Sequence, residues 1–203
     1  MKIFAIGRNY KEHAHELGNE VPEEPVIFLK PETAVIRNNA DFYYPDFSKD
    51  IHYEVEILLL VSKEGKNIEK KFAHLYYDSI GVGIDFTARD LQQKLKSKGL
   101  PWEISKAFNG SAPISSFLPK EQFVDLKNID FHLSIDNTIK QKGNTQLLIF
   151  DFDYIISYLS KFFTLKKGDI IFTGTPSGVG PIQIGNVLEA FIGEQKMLHV
   201  EIK

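Results

Sequence analysis

The chain has no cysteine in its 203 residues, which excludes disulfides, thiolate nucleophiles and zinc–thiolate sites together. It also lacks basic excess. Lys and Arg number 24 against 27 Asp and Glu, the net charge is −3, and no basic run or stripe occurs. Neither nucleic acid nor an anionic membrane is therefore an expected partner. No apolar stretch approaches the roughly 20 residues of a membrane span, and the amino terminus shows no basic, apolar, small-residue signal pattern. Repeats, low-complexity tracts and Pro/Gly-rich linkers are missing too. What remains is the expectation of a cytoplasmic, soluble protein folded as a single domain over residues 1–203. Any metal would be held by Asp, Glu, His or backbone oxygen.

The punctuation of the chain predicts a mainly β fold of α+β class with about three helices. "KIFAIG" and "VIFLK" read as strands. "NYKEHAHELG" reads as a short helix with Gly18 as its left-handed cap. Thr87 and Asp90 predict a capping-box-like start for a helix that Gly99 and Pro101 stop. "IDFHLSIDNTIKQK" predicts a hairpin turning at Asp136-Asn137. Phe152, Ile155, Ile156, Leu159 and Phe163 mark a core-facing helix, and "DIIFTG", "NVLEAFI" and "MLHVEI" close the chain as strands.

One strand is unusual. "HYEVEILLL", residues 52–60, places Glu54 and Glu56 on one face just before an apolar run. An ordinary half-exposed strand is the alternative, but here the acidic face turns apolar at Leu58 while the opposite face is apolar throughout. Two carboxylates about 6.6 Å apart along a strand can turn toward one point, where they would repel or take up a proton unless a cation lies between them. Hard oxygen donors without cysteine favour Mg²⁺, Mn²⁺ or Ca²⁺ over zinc. Asp85, at the end of a strand with Gly81 and Gly83, is the natural third ligand; a plain helix cap is the alternative.

Other groups stand near these features. His13 and Glu16 are helical neighbours, suited to a base that takes a proton from water, or else a solvated pair. His15 is expected at the surface and His52 half-buried. Arg8, Arg89 and Lys106 offer positive charge to a carboxylate substrate, with Gln92 one turn beyond Arg89. "TGTPSGVG", residues 173–180, is either an anion-binding loop or a tight turn, and it is no Walker loop.

Together these segments resemble the fumarylacetoacetate hydrolase family, particularly its short acylpyruvase-like members. "GRNYKEHAHELG", "FLKP", "HYEVE", "GVGIDFTARDLQ", "KGLPW", "SKAFNGSAP" and "TGTPSGVG" run in the family's order over nearly the whole chain. The resemblance implies a mixed β-sandwich or roll, a homodimer, and Mg²⁺ or Mn²⁺ on Glu54, Glu56 and Asp85. It implies His13 and Glu16 as a water-activating dyad under a mobile amino-terminal segment. Lys106 would stabilise a developing enolate, with Arg8, Arg89, Gln92 and Thr175 around a keto-acid substrate. The implied reaction is hydrolysis of a carbon–carbon bond in 2,4-diketo acids to pyruvate and a carboxylate. Oxaloacetate decarboxylation, isomerisation or hydration of 2-hydroxy-dienoic acids, and a non-catalytic dimeric module are the alternatives. Apolar Ile6 stands near where longer fumarylacetoacetases carry a further acidic ligand, which counts against fumarylacetoacetate itself.

Overall fold

A computed structural model describes residues 1–18 and 20–203. Its central element is a six-stranded mixed sheet in the order Val26–Lys30, Ile3–Gly7, Ile170–Phe172, Val55–Val61, Tyr77–Ile84 and Leu118–Pro119. Only the Ile3–Gly7 and Ile170–Phe172 pairing is parallel; the rest is antiparallel. A second, antiparallel sheet runs Thr138–Asn144, Asp130–Ile135, Val187–Ile192, Gln195–Glu201. Among the described residues there are four α-helices, α1 (Lys11–Glu16), α2 (Arg89–Ser97), α3 (Glu103–Lys106) and α4 (Phe152–Phe162). The fourth helix beyond the expected three is α3, a single turn too short for apolar periodicity to reveal.

The central sheet is buried on both faces. Phe4, Ile6, Val55, Ile57, Leu59 and Ile171 join the larger core with Leu133, Leu188 and the inner side of α4, while Ile3, Ala5, Leu58, Ile170 and Phe172 fill a smaller core on the reverse. A strand enclosed this way has no solvated face on which a carboxylate could sit at low cost. The acidic pair at its start therefore stands at the edge of dry space, as the pattern around Leu58 implies.

Local signals hold in most places. Asp136 (φ 49°) and Asn137 (φ 63°) both sit in the left-handed region that a two-residue hairpin turn requires. Gly18 ends α1 at φ 64°, and the Asp151 carboxylate caps α4 by accepting the Tyr154 N–H at 2.7 Å. The expected capping box at Thr87 and Asp90 does not form. Ala88 occupies the N-cap of α2 without a side-chain bond. Asp90 instead accepts from Ser48 Oγ (2.7 Å) and Lys49 N (3.1 Å), tying down the irregular segment before the acidic strand. Thr87 is pulled into a short strand facing the cleft described below.

Fully buried Asn9 anchors the start of α1. Its Nδ2 donates to the carbonyls of Phe150 (3.0 Å) and Thr173 (2.8 Å), and its Oδ1 accepts the Phe150 N–H (2.8 Å). Replacing it with leucine would strand three buried backbone groups, each of which is costly to leave unpaired. Asn9→Leu is expected to lower unfolding free energy by about 2–4 kcal/mol, read from urea denaturation. A loss under 1 kcal/mol would mean that water or rearrangement satisfies those groups.

Candidate metal centre and active site

Backbone pairing brings the three carboxylates together. The Asp85 N–H donates to the Glu54 carbonyl at 2.8 Å, so the two residues are cross-strand neighbours where the pairing of Val55 with Ile84 ends. Glu56, two residues on, lies on the same face and opposite Gly83. A side chain at Gly83 would bring its Cβ to 2.9 Å from the Pro113 carbonyl oxygen, so the close approach expected there is real. Glu54, Glu56 and Asp85 are all buried, and one oxygen from each lies within 4.8 Å of the others. The strand itself is not continuous. It breaks at Glu54, and Ile51–Tyr53 turns away to pair with Thr87–Ala88 and Gly180–Pro181. His52 goes with that turn. It is half-buried and pairs with Asp50 (2.9 Å), not with the carboxylates.

Three cations share the cluster. Lys106 Nζ donates to Glu54 Oε2 (2.7 Å), Asp85 Oδ2 (2.7 Å) and Thr87 Oγ1 (2.6 Å). Arg89 Nη2 donates to Glu54 Oε1 at 2.6 Å, and its Nη1 to Gln92 Oε1 at 2.7 Å. Lys30, fully buried, lies 2.7 Å from Asp85 Oδ1 and also donates to the Lys106 carbonyl, the Ser111 carbonyl (3.2 Å) and Ser111 Oγ (2.9 Å). With Lys30, Lys106 and Arg89 set against Glu54, Glu56 and Asp85, acids and bases in the cluster balance.

Balance is uneven within the cluster. Burial alone would raise the Glu54 carboxyl, but Lys106 and Arg89 beside it hold it well below the usual carboxylate range. Glu56 has no such cation. It accepts one hydrogen bond, from the Gly174 N–H at 2.6 Å, and burial, followed by Asp85 and Glu54, pushes its carboxyl well above that range. Gly174 is required there: it has φ 107°, and a Cβ would lie 2.6 Å from that of Asn9. Lys106 is raised, its burial outweighed by Asp85 and Glu54.

Similarity places the centre in a family. The family model described as fumarylacetoacetate (FAA) hydrolase C-terminal matches residues 2–203. The chain is 46% identical to a mitochondrial oxaloacetate decarboxylase of Dictyostelium discoideum, over 94% of this chain and 88% of that one. It is 44% identical to the mitochondrial oxaloacetate tautomerase FAHD1 of Arabidopsis thaliana, over 94% and 86%. A fumarylpyruvate hydrolase from Pseudomonas aeruginosa, crystallised with Mn²⁺ and pyruvate, superposes with a TM-score of 0.94 at 36% identity, covering 100% of this chain and 89% of that one. The chain belongs to the fumarylacetoacetate hydrolase family.

For a member of this family the donor set fits a divalent cation. Three carboxylates converge in a buried cluster, where Asp85 Oδ1 faces the Lys30 ammonium at 2.7 Å. Glu56 offers oxygen to a cation no side chain supplies. Mg²⁺ and Mn²⁺ suit such all-oxygen donors.

A cleft brings the remaining expected residues together: Arg8, His13, Arg89, Gln92, Lys106 and Thr175 all line it, beside the three carboxylates. Glu16 stands behind His13. Its Oε2 is 3.1 Å from His13 Nδ1, and its Oε1 accepts the Gly178 N–H at 3.0 Å. The glycine-rich loop thus spends two N–H groups, Gly174 and Gly178, on the protein's own carboxylates. His15 is exposed, as expected, and Ile6 lines the cleft.

Lys30 was not singled out in the sequence. Lys96 and Trp102 line the cleft as well, and Lys96 was visible in principle, since Arg89, Gln92 and Lys96 share one face of α2 at i, i+3 and i+7. Gln141 is another such residue. Almost fully buried, it accepts the Val55 N–H between the two glutamates (2.9 Å) and donates to Thr175 Oγ1 (2.9 Å) and the Pro176 carbonyl (2.9 Å). That bond occupies an acceptor position of the Thr175 hydroxyl, which in turn donates over 3.5 Å to the Pro176 carbonyl.

Proposed function

We propose that the chain is a divalent-metal-dependent enzyme of 2-oxo acids that works through their enol forms, with oxaloacetate as substrate and keto–enol tautomerisation as its reaction. The observation that carries this reading is the meeting of Glu54, Glu56 and Asp85 within 4.8 Å inside a cleft that also holds Lys106 and His13. A divalent ion held by the three carboxylates would supply Lewis acidity toward a 2-oxo group. The protein's own groups supply the rest. When the C3–H bond breaks and its electron pair becomes the C2=C3 double bond, the oxygen on C2 gains negative charge and then a proton. The buried Lys106 ammonium, 2.7 Å from both Glu54 Oε2 and Asp85 Oδ2, is the donor that would meet that charge. His13, whose Nδ1–H is held by Glu16, keeps Nε2 free to take the carbon proton. Arg89 and Gln92 orient the substrate. The oxaloacetate tautomerase and decarboxylase names of the relatives support the same substrate.

The test is a substrate panel with Mg²⁺, with and without chelator. Loss of the oxaloacetate enol absorbance faster than the buffer-catalysed rate, abolished by chelator, is the expected result. Pyruvate released from oxaloacetate at the same rate would move the reading to decarboxylation, and no acceleration of either would end it. A second reading, hydrolysis of acylpyruvates, is favoured by the assembled His13–Glu16 pair, which suits activation of water. His13→Ala is expected to abolish acetylpyruvate cleavage, by at least about 100-fold, while calorimetric Mg²⁺ affinity stays within about twofold. Unchanged cleavage would take His13 out of that chemistry. The homodimer and the cytoplasmic location expected from the sequence belong to this reading too. Light scattering of the purified chain tests the first. No helix among the described residues is long and apolar enough to cross a membrane.

A further inference from the structure

The cations of the cleft fall into two groups. Lys30, Lys106 and Arg89 each lie against an acidic side chain of the cluster. Arg8 and Lys96 line the same cleft, yet neither is among the ion pairs of the described residues. Both sit over the Trp102 ring, with Lys96 Nζ 5.2 Å and Arg8 Cζ 6.0 Å from its centroid. Arg8 Nε is buried without a hydrogen-bond partner. Its backbone is held at φ 58°, a conformation that costs energy in a residue with a side chain and that here directs Arg8 into the cleft. Burial, then the charges of Arg8, Arg89 and Lys106, pushes the Lys96 ammonium down to about 8, with Glu54 opposing the shift; it still carries its charge at neutral pH. Two half-buried like charges without an acid between them are unfavourable in the empty cleft and favourable once an anion lies there.

We infer that Arg8 and Lys96, gathered over Trp102, form a subsite for the second carboxylate of a 2-oxo dicarboxylate whose first carboxylate and oxo group face the Glu54–Glu56–Asp85 cluster. The inference rests on the proposed reading only in taking a 2-oxo acid into the cleft. It goes beyond that reading by making charge at the far end of the substrate the basis of selection, so that a diacid is preferred to a monoacid of equal size.

The experiment is calorimetric binding of oxaloacetate and of its 4-methyl ester to Mg²⁺-loaded protein, in the parent, Lys96→Met and Lys96→Arg. The methionine keeps an apolar stem against Trp102, and the arginine keeps the charge. A charge-assisted contact of this kind corresponds to about 10- to 100-fold in affinity. The parent is expected to prefer the diacid by that factor. Lys96→Met should lose the preference while binding the ester within about twofold of the parent, and Lys96→Arg should recover most of it. Equal weakening of both ligands, or diacid binding unaffected by Lys96→Met, would overturn the subsite. Turnover does not enter the readout. A protein that binds the diacid by these rules without interconverting its keto and enol forms would refute the proposed function and leave the subsite standing.

Discussion

Glu56→Gln is expected to abolish tight binding of Mg²⁺ and Mn²⁺ while leaving the metal-free protein at least as stable as the parent. Glu56 is 2% exposed, stands beside Glu54 and Asp85, and is the one acid of the three with no cation against it. In the absence of metal its charge is a liability. A glutamine keeps an oxygen for the Gly174 N–H and removes that liability. With metal bound the balance reverses, since an amide is a far weaker ligand for a hard cation than a carboxylate. Affinity should therefore fall by about 100-fold or more, a larger change than the 10- to 100-fold that groups behind the ligands contribute. The pH dependence in chelator gives a second sign. A carboxyl raised on folding contributes stability that is intact below about 4.5, its ordinary value, and is lost as pH rises through its value in the folded protein. The parent should lose stability across that interval and Glu56→Gln should not. Calorimetry and urea denaturation read both effects, and unchanged metal affinity would remove Glu56 from the centre.

That prediction was within reach of the sequence, and its counterpart for Lys30 was not. Glu54 and Glu56 announce themselves because a two-residue spacing beside an apolar run leaves charge on a buried face. Asp85 follows because it ends the neighbouring strand at a pair of glycines. Lys30 carries no such mark. It closes "VIFLK", where a terminal lysine ordinarily reaches solvent, and only the folded sheet shows its ammonium enclosed by Asp85, Ser111 and the backbone of Lys106. Gln141 is hidden for a different reason. It follows exposed Ile139 and Lys140, and alternation alone does not single it out. The register between Asp130–Ile135 and Thr138–Asn144 slips between Leu133 and Ser134, leaving Lys140 as the extra residue and turning Gln141 inward. A bulge is a property of paired strands, so a single run of residues does not display it. The Thr87–Asp90 pattern failed as a cap because both side chains had stronger partners elsewhere in the chain, Lys106 for Thr87 and Ser48 for Asp90. Local signals held where no distant group competed, as at the Asp136-Asn137 turn, and gave way where the cleft drew the same side chains in.

Lys106→Met should separate three quantities that a simple loss of function would move together. Its ammonium lies 2.7 Å from both Glu54 Oε2 and Asp85 Oδ2, on oxygens that a divalent ion would use. Removing it leaves three buried carboxylates with only Lys30 and Arg89 nearby, so the metal-free variant should be about 3–5 kcal/mol less stable than the parent, the usual cost of breaking a buried pair. Metal then replaces the lost charge. Mg²⁺ should bind the variant about tenfold more tightly than the parent, and should raise its melting temperature by a larger increment, because binding to the folded form alone adds stability as the logarithm of one plus free metal over its dissociation constant. Turnover should move the other way. Loss of the donor facing the C2 oxygen is expected to cut kcat by about 10²–10³-fold at saturating metal, the range seen when a single preorganised donor is removed. Tighter metal binding with slower turnover would identify Lys106 as a competitor of the ion in the resting protein and a partner of the substrate during reaction. Weaker metal binding would show instead that the lysine holds Glu54 and Asp85 in place for the ion, and the competition argued from these distances would be wrong.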